Sequence, residues 1–78
     1  MPYFVYVLHS RKDAKRYVGI TNDVVKRLKQ HNAGSVRSTK NRIPFILECA
    51  EEFPNRQMAR LREKYFKSAA GRRFLNKK

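Results

Sequence analysis

Acidic residues are scarce in this sequence. Of 78 residues, 19 are Lys or Arg and only 6 are Asp or Glu, a net charge of +13. That shortage excludes a polycationic ligand and points to a polyanion, since the summed field attracts negative charge. Long apolar runs are also missing, so no membrane-spanning helix is expected. An anionic membrane surface ranks second, because no segment pairs a Lys-rich face with a wide apolar one. Nucleic acid comes first. Cysteine is nearly absent: Cys49 stands alone, which excludes an internal disulfide and a zinc cluster of Cys and His. Its apolar surroundings predict a buried, reduced thiol in a cytoplasmic protein. There is no G-x-x-x-x-G-K phosphate loop, no internal repeat and no low-complexity linker. Met1 runs straight into a strand-like segment, so no signal peptide is expected.

The length predicts one domain over residues 1–78. A chain of this size buries roughly 60% of its unfolded surface, so the core is small. Tyr3–His9 is aromatic and β-branched and reads as a strand; residues 10–15 are a polar turn; Arg16–Ile20 reads as a second strand, closing a hairpin. Strand alternation puts Phe4, Tyr6 and Leu8 on one face and Tyr3, Val5 and Val7 on the other. Thr21-Asn22-Asp23 is a helix start, with Val24, Val25 and Leu28 as the apolar stripe and Gly34 as the stop. Asp23, Arg27 and His31 recur every fourth residue and predict a polar face. A basic connection follows to Pro44, then a third strand over Phe45–Phe53. Asn55 caps a further helix, whose expected buried face is Met58, Leu61, Tyr65 and Phe66, ending at Gly71. A last helical turn is expected on Phe74 and Leu75. The class predicted is α+β, a three-stranded antiparallel sheet flanked by helices.

Within the basic tail from Arg56 to Lys78, Glu63 is the single carboxylate. A surface built only to hold phosphate gains little from it, whereas a divalent cation held against phosphate requires at least one carboxylate. Helix pairing with Lys67 or Arg60 is the plainer explanation.

Phe4-Val5-Tyr6, then Tyr17-Val18-Gly19 with its tyrosine eleven residues after the first, then Arg27 and His31, Glu63 and Asn76 form an ordered set. In order and spacing it resembles the GIY-YIG nuclease superfamily, in particular its small stand-alone bacterial members. The resemblance runs from about Tyr3 to Asn76. The second triplet is close to the family's; the first replaces its glycine with Phe4 and its isoleucine with Val5, and keeps the tyrosine. The resemblance implies that Tyr6 is the general base or orients the attacking water. Tyr17 would hold a phosphate or water, and Arg27 would stabilise charge on the scissile phosphate. His31 would take part in proton transfer, Glu63 would be the only protein ligand of a divalent metal, and Asn76 would steady the site.

A tyrosine has an ordinary pKa of ~10 and is a weak base at neutral pH. Arg27, a bound metal and the basic field are expected to lower it. Arginine suits the phosphorane because it is always charged and binds two oxygens. Magnesium, with manganese as the substitute, keeps waters and needs one or two carboxylates. Lys26, Lys29, Arg37, Lys40, Arg42, Arg72 and Arg73, with Asn76, are the expected nucleic-acid contacts. The expected partner is DNA ahead of RNA, bound by a monomer, with targeting left to shape, strand state or a partner protein. The reading is a metal-dependent endonuclease. Two others stay open: the same fold binding nucleic acid without cutting it, and a small basic RNA-associated protein.

Overall fold

Strand β1 (Tyr3–Ser10) lies at the centre of the sheet because it is apolar on both faces: Val5 and Val7 are fully buried on one, Tyr6 and Leu8 on the other. The computed structural model describes residues 1–77; Lys78, counted above in the basic tail, lies outside them. β2 (Arg16–Thr21) and β3 (Phe45–Phe53) flank β1, both antiparallel, in the order β2-β1-β3. This is the α+β arrangement expected, with β2 an open edge. The register sets Tyr6 opposite Gly19 and Leu8 opposite Tyr17. A β-bulge interrupts the β1–β3 pairing between Val7 and Leu8.

Helix α1 (Val24–Asn32) covers the Tyr6/Leu8 face, with Phe45, Tyr17, Val24, Leu28 and Ile43 around it. Helices α2 (Arg56–Lys67) and α3 (Ala69–Asn76) cover the other, where Val5, Val7 and Val18 meet Ala59, Phe66 and Leu75. Asp23 and Asn55 cap α1 and α2, their side chains accepting from the amides of Lys26 and Met58.

α2 is rotated from the expected orientation, and α1 differs from it at Val25 and His31. On α2 the fully buried residues are Ala59 and Phe66, while Met58 is 48% and Leu61 68% exposed. An inward face through residues 59 and 66 includes positions 62 and 63, so Arg62 and Glu63 turn toward the sheet. On α1 Val25 is exposed and His31, expected on a polar face, is fully buried. In α2 the sheet takes the stripe through Ala59, which packs closely, over one with more apolar residues; in α1 it keeps Val24 and Leu28 and adds His31.

The break after α2 is also shifted. Ser68 ends α2 and caps α3, its hydroxyl oxygen accepting from the Gly71 amide. Gly71 is buried inside α3, where a Cβ would overlap the Tyr65 carbonyl and the Phe66 Cα. It is a glycine so that two successive helices can touch, and α3 is a full helix instead of a single turn. Cys49 is half-buried against the α2-side core, where a buried thiol was expected. Among the described residues no helix is long and apolar enough to cross a membrane.

Candidate active site

Tyr6 projects from mid-β1 toward α1, and its hydroxyl lies 3.0 Å from His31 Nε2. The other ring nitrogen, Nδ1, is 2.8 Å from Thr39 Oγ1, and that hydroxyl reaches the Val36 carbonyl at 3.4 Å. One assignment of protons satisfies every member: Tyr6 O–H donates to Nε2, Nδ1–H donates to Thr39, and Thr39 donates to Val36. His31 and Thr39 are both fully buried. No buried side-chain polar atom among the described residues lacks a partner, so this chain is a closed relay.

Gly19 explains how the phenol fits. A Cβ at that position would stand 2.6 Å from Tyr6 Oη and 2.8 Å from Cζ. The close approach that a glycine in a strand suggests is therefore made by the protein's own tyrosine. Tyr17 leans over the same spot, its ring centroid 6.3 Å from Tyr6 and 4.9 Å from His31. Phe45 closes the far side of the imidazole at 5.8 Å. Arg27, half-buried on α1, donates from Nη1 to Gln30 Oε1 at 3.0 Å and so is held in one orientation.

The electrostatics depart from expectation. Burial pushes the Tyr6 phenol above its ordinary value, and the charges of Tyr17 and Glu63 add to this; the hydrogen bond and charge of Arg27 pull the other way and lose. The protein alone therefore keeps Tyr6 protonated. His31 is pushed below its ordinary value, first by burial and then by the Arg27 charge. A neutral imidazole is what the relay requires.

Glu63 comes from the opposite face of the sheet, on α2, close enough that its charge opposes ionisation of Tyr6. Its side chain is 14% exposed and pairs with Lys67 Nζ at 3.2 Å and Arg60 Nε at 3.9 Å. Two cations thus surround the one carboxylate. No cluster of three metal-ligating side chains exists among the described residues. The donor set fits an ion that takes one protein oxygen and completes its shell with water and phosphate.

Two clefts flank this centre along the edge strand. One, of 330 Å³, is lined by Ile20, Thr21, Lys26 and Arg27. The other, of 610 Å³, is lined by Tyr17, Lys67, Arg72 and Asn76. Asn76 Oδ1 accepts from Arg16 Nη1 at 2.6 Å. Lys26, Lys29, Arg37, Lys40, Arg72 and Arg73 are exposed. Arg42 is different. Its Nε donates to Asp13 Oδ2 at 3.0 Å, its Nη2 to the Arg16 carbonyl at 3.3 Å, and its guanidinium lies 5.5 Å over Phe45. It fastens a loop to the sheet and is withdrawn from the expected phosphate contacts. Thr39, Gln30 and Gly19 belong to the site and were not assigned to it from sequence. Gln30 carries a signal, three positions from Arg27; Thr39 carries none.

A family model described as the GIY-YIG catalytic domain matches residues 2–77. The chain belongs to the GIY-YIG family. The family lies within the nuclease superfamily that the tyrosine triplets suggested. Among GIY-YIG relatives, a UPF0213 protein of Bacillus licheniformis is 42% identical over 83% of this chain and 67% of its own length. The UPF0213 protein YazA of Bacillus subtilis is 44% identical over 83% of this chain and 66% of its own. A UPF0213 protein of Nitratidesulfovibrio vulgaris is 44% identical over 69% of this chain, which spans only 49% of that relative. A UPF0213 protein of Bacillus halodurans, solved in solution by NMR, is 32% identical with a TM-score of 0.60, covering 99% of this chain and 84% of that one.

Proposed function

We propose that this GIY-YIG protein is a metal-dependent endonuclease that hydrolyses phosphodiester bonds of DNA, with RNA as the alternative substrate. The observation that carries the reading is the buried relay from Tyr6 through His31 to Thr39, whose Tyr6 end is packed directly behind Gly19 of the edge strand. A relay of fully paired polar groups costs conformational freedom and desolvation, and a purely structural sheet tyrosine needs none of it.

In the mechanism this arrangement supports, a water attacks phosphorus and gives its proton to Tyr6 Oη while Tyr6 passes its own proton to His31 Nε2. Tyr6 therefore acts without free phenolate, which suits a phenol whose ionisation burial opposes. Thr39 fixes the tautomer that leaves Nε2 open. Arg27, oriented by Gln30, faces the charge that builds on the phosphate oxygens. Tyr17 positions the phosphate or the water. One magnesium ion, or manganese, held by Glu63 would polarise the phosphate and stabilise the leaving oxygen. The exposed lysines and arginines hold the nucleic acid backbone. The protein works in the cytoplasm as a monomer, with targeting supplied by a partner protein.

A second reading, a module that binds nucleic acid without cutting it, draws on the protonated Tyr6 and on a Glu63 already paired by two cations. A cleavage assay separates the two. Labelled DNA and RNA substrates are incubated with magnesium, manganese or EDTA. Metal-dependent products from the wild type, lost by about a hundredfold or more in Tyr6→Phe and Glu63→Gln, are the expected outcome. Products that persist in pure Glu63→Gln protein would sink the proposal.

A further inference from the structure

The 610 Å³ cavity lies at the start of β2, beside the proposed reacting centre. Its floor is apolar: Val18, Phe66 and Leu75 are all nearly fully buried. Tyr17 forms one wall, half-exposed, and the rim carries Lys15 and Arg72. Among the described residues neither cation is in an ion pair, although those of Arg16, Arg42, Arg62 and Lys67 are.

We propose that this cavity takes one unstacked nucleotide, and that the substrate is accordingly single-stranded or frayed nucleic acid. The chemistry matches part for part. A free base has two apolar faces and needs a dry floor and an aromatic wall, and base stacking on such a wall is tolerant of sequence. Its phosphate needs the rim cations. The volume falls within the ~300–1,000 Å³ of small-ligand pockets. A paired base inside a duplex has no free face to offer and cannot enter.

Position supports the same conclusion. The cavity touches residues 16–18 of β2 and the smaller cleft touches residues 20–21, with Gly19 between them. β2 is an edge strand, paired with a neighbouring strand on one side only. A single strand laid along that edge fills the cavity, crosses Gly19, behind which Tyr6 is packed, and leaves past Arg27. The placement of the cut bond in this path rests on the nuclease reading; the nucleotide pocket does not.

Binding measured in EDTA by fluorescence anisotropy tests the pocket without chemistry. The probes are a labelled single strand of mixed sequence, the same sequence as a blunt duplex, and an abasic sugar–phosphate strand of equal length. The single strand should bind most tightly, with the abasic strand weaker by about tenfold because it keeps the charge and loses the stacking. Arg72→Glu and Lys15→Glu, both at exposed positions, should weaken the single strand by about tenfold and the duplex far less. Equal binding of abasic and normal strands, or a duplex bound as tightly as the single strand, overturns the proposal; the wild-type comparison alone suffices if a variant misfolds. A single-strand preference with no metal-dependent cleavage would leave the pocket standing and remove the nuclease reading. Cleavage of duplex with no single-strand preference would do the reverse.

Discussion

Position 19 is a glycine because the Tyr6 phenol occupies the place of its side chain. The cost of adding one methyl there is therefore functional before it is structural. Gly19→Ala forces Tyr6 Oη off the 3.0 Å contact with His31, and a displacement of about 1 Å at a reacting group can cost about a hundredfold in rate. Single-turnover cleavage should fall by that order while the circular dichroism spectrum stays native; unchanged cleavage would show that Tyr6 Oη is not placed by Gly19. His31 gives a pH signature. Its pKa in the fold lies below the usual 6.5 because burial disfavours the imidazolium. The unfolded chain thus binds a proton that the folded chain refuses, so the stability linked to His31 is complete above pH 6.5 and is lost as pH falls from there through the folded value. Cleavage, which needs neutral Nε2, should stay flat through neutrality and fall only below the ordinary histidine range. A pH–rate profile already falling at pH 7 on acidification would contradict a depressed His31.

At the scale of elements, the helices that carry the site differ: α1 keeps Val24 and Leu28 of its apolar stripe on the sheet and adds His31, whereas α2 is turned away from Met58 and Leu61. Residues 59 and 66 on α2, and 24, 28 and 31 on α1, face the sheet, and the positions beside them bring Glu63 and Arg27 inward. Beyond the packing of Leu75 and Gly71, the third helix is tied to the sheet by the Arg16 side chain. Arg16 donates from Nε to Glu48 at 2.8 Å, from Nη1 to Asn76 at 2.6 Å, and from Nη2 to the Leu75 carbonyl at 3.4 Å. Its partner Glu48 lies at the register shift between Val7, opposite Cys49, and Leu8, opposite Leu47, and a bulge re-aims the side chain it contains. Arg16→Ala should cost about 1–3 kcal/mol, the range for hydrogen bonds to charged groups at a partly exposed site. The melting temperature should drop, and hydrogen exchange should quicken first in α3. Loss of stability spread evenly over all elements would argue against a local clamp.

At the scale of the molecule, charge is sorted. Glu48, Glu51 and Glu52, half of all the carboxylates, lie on β3, which has no Lys or Arg. Arg16 and Arg62 come across to pair with two of them. Among the described residues, cations outside any ion pair lie elsewhere, Lys26 and Lys29 on α1 and Arg72 and Arg73 on α3. Salt dependence of binding should record that sorting. Lys26→Ala, on the Arg27 cleft, should flatten the slope of log K against log salt by about 0.7–0.9, the loss of one phosphate contact. Arg42→Ala should leave the slope unchanged and lower stability instead, because that guanidinium is spent on Asp13 and Phe45; equal slopes for the two variants would refute the division.

The sequence by itself determined the strands, the hairpin, the helix start at Thr21-Asn22-Asp23 and the cap at Asn55, the α+β class and the family, because these rest on local periodicity, capping chemistry and ordered spacing. Tertiary structure alone decided the rest. Whether Met58 or Ala59 faces the sheet depends on which side chain packs closest, and no single helix contains that information. Thr39 joins His31 only because a loop with no motif folds over α1. The direction of the Tyr6 shift depended on how deeply the ring is buried, and desolvation outweighed the nearby arginine that the sequence made visible.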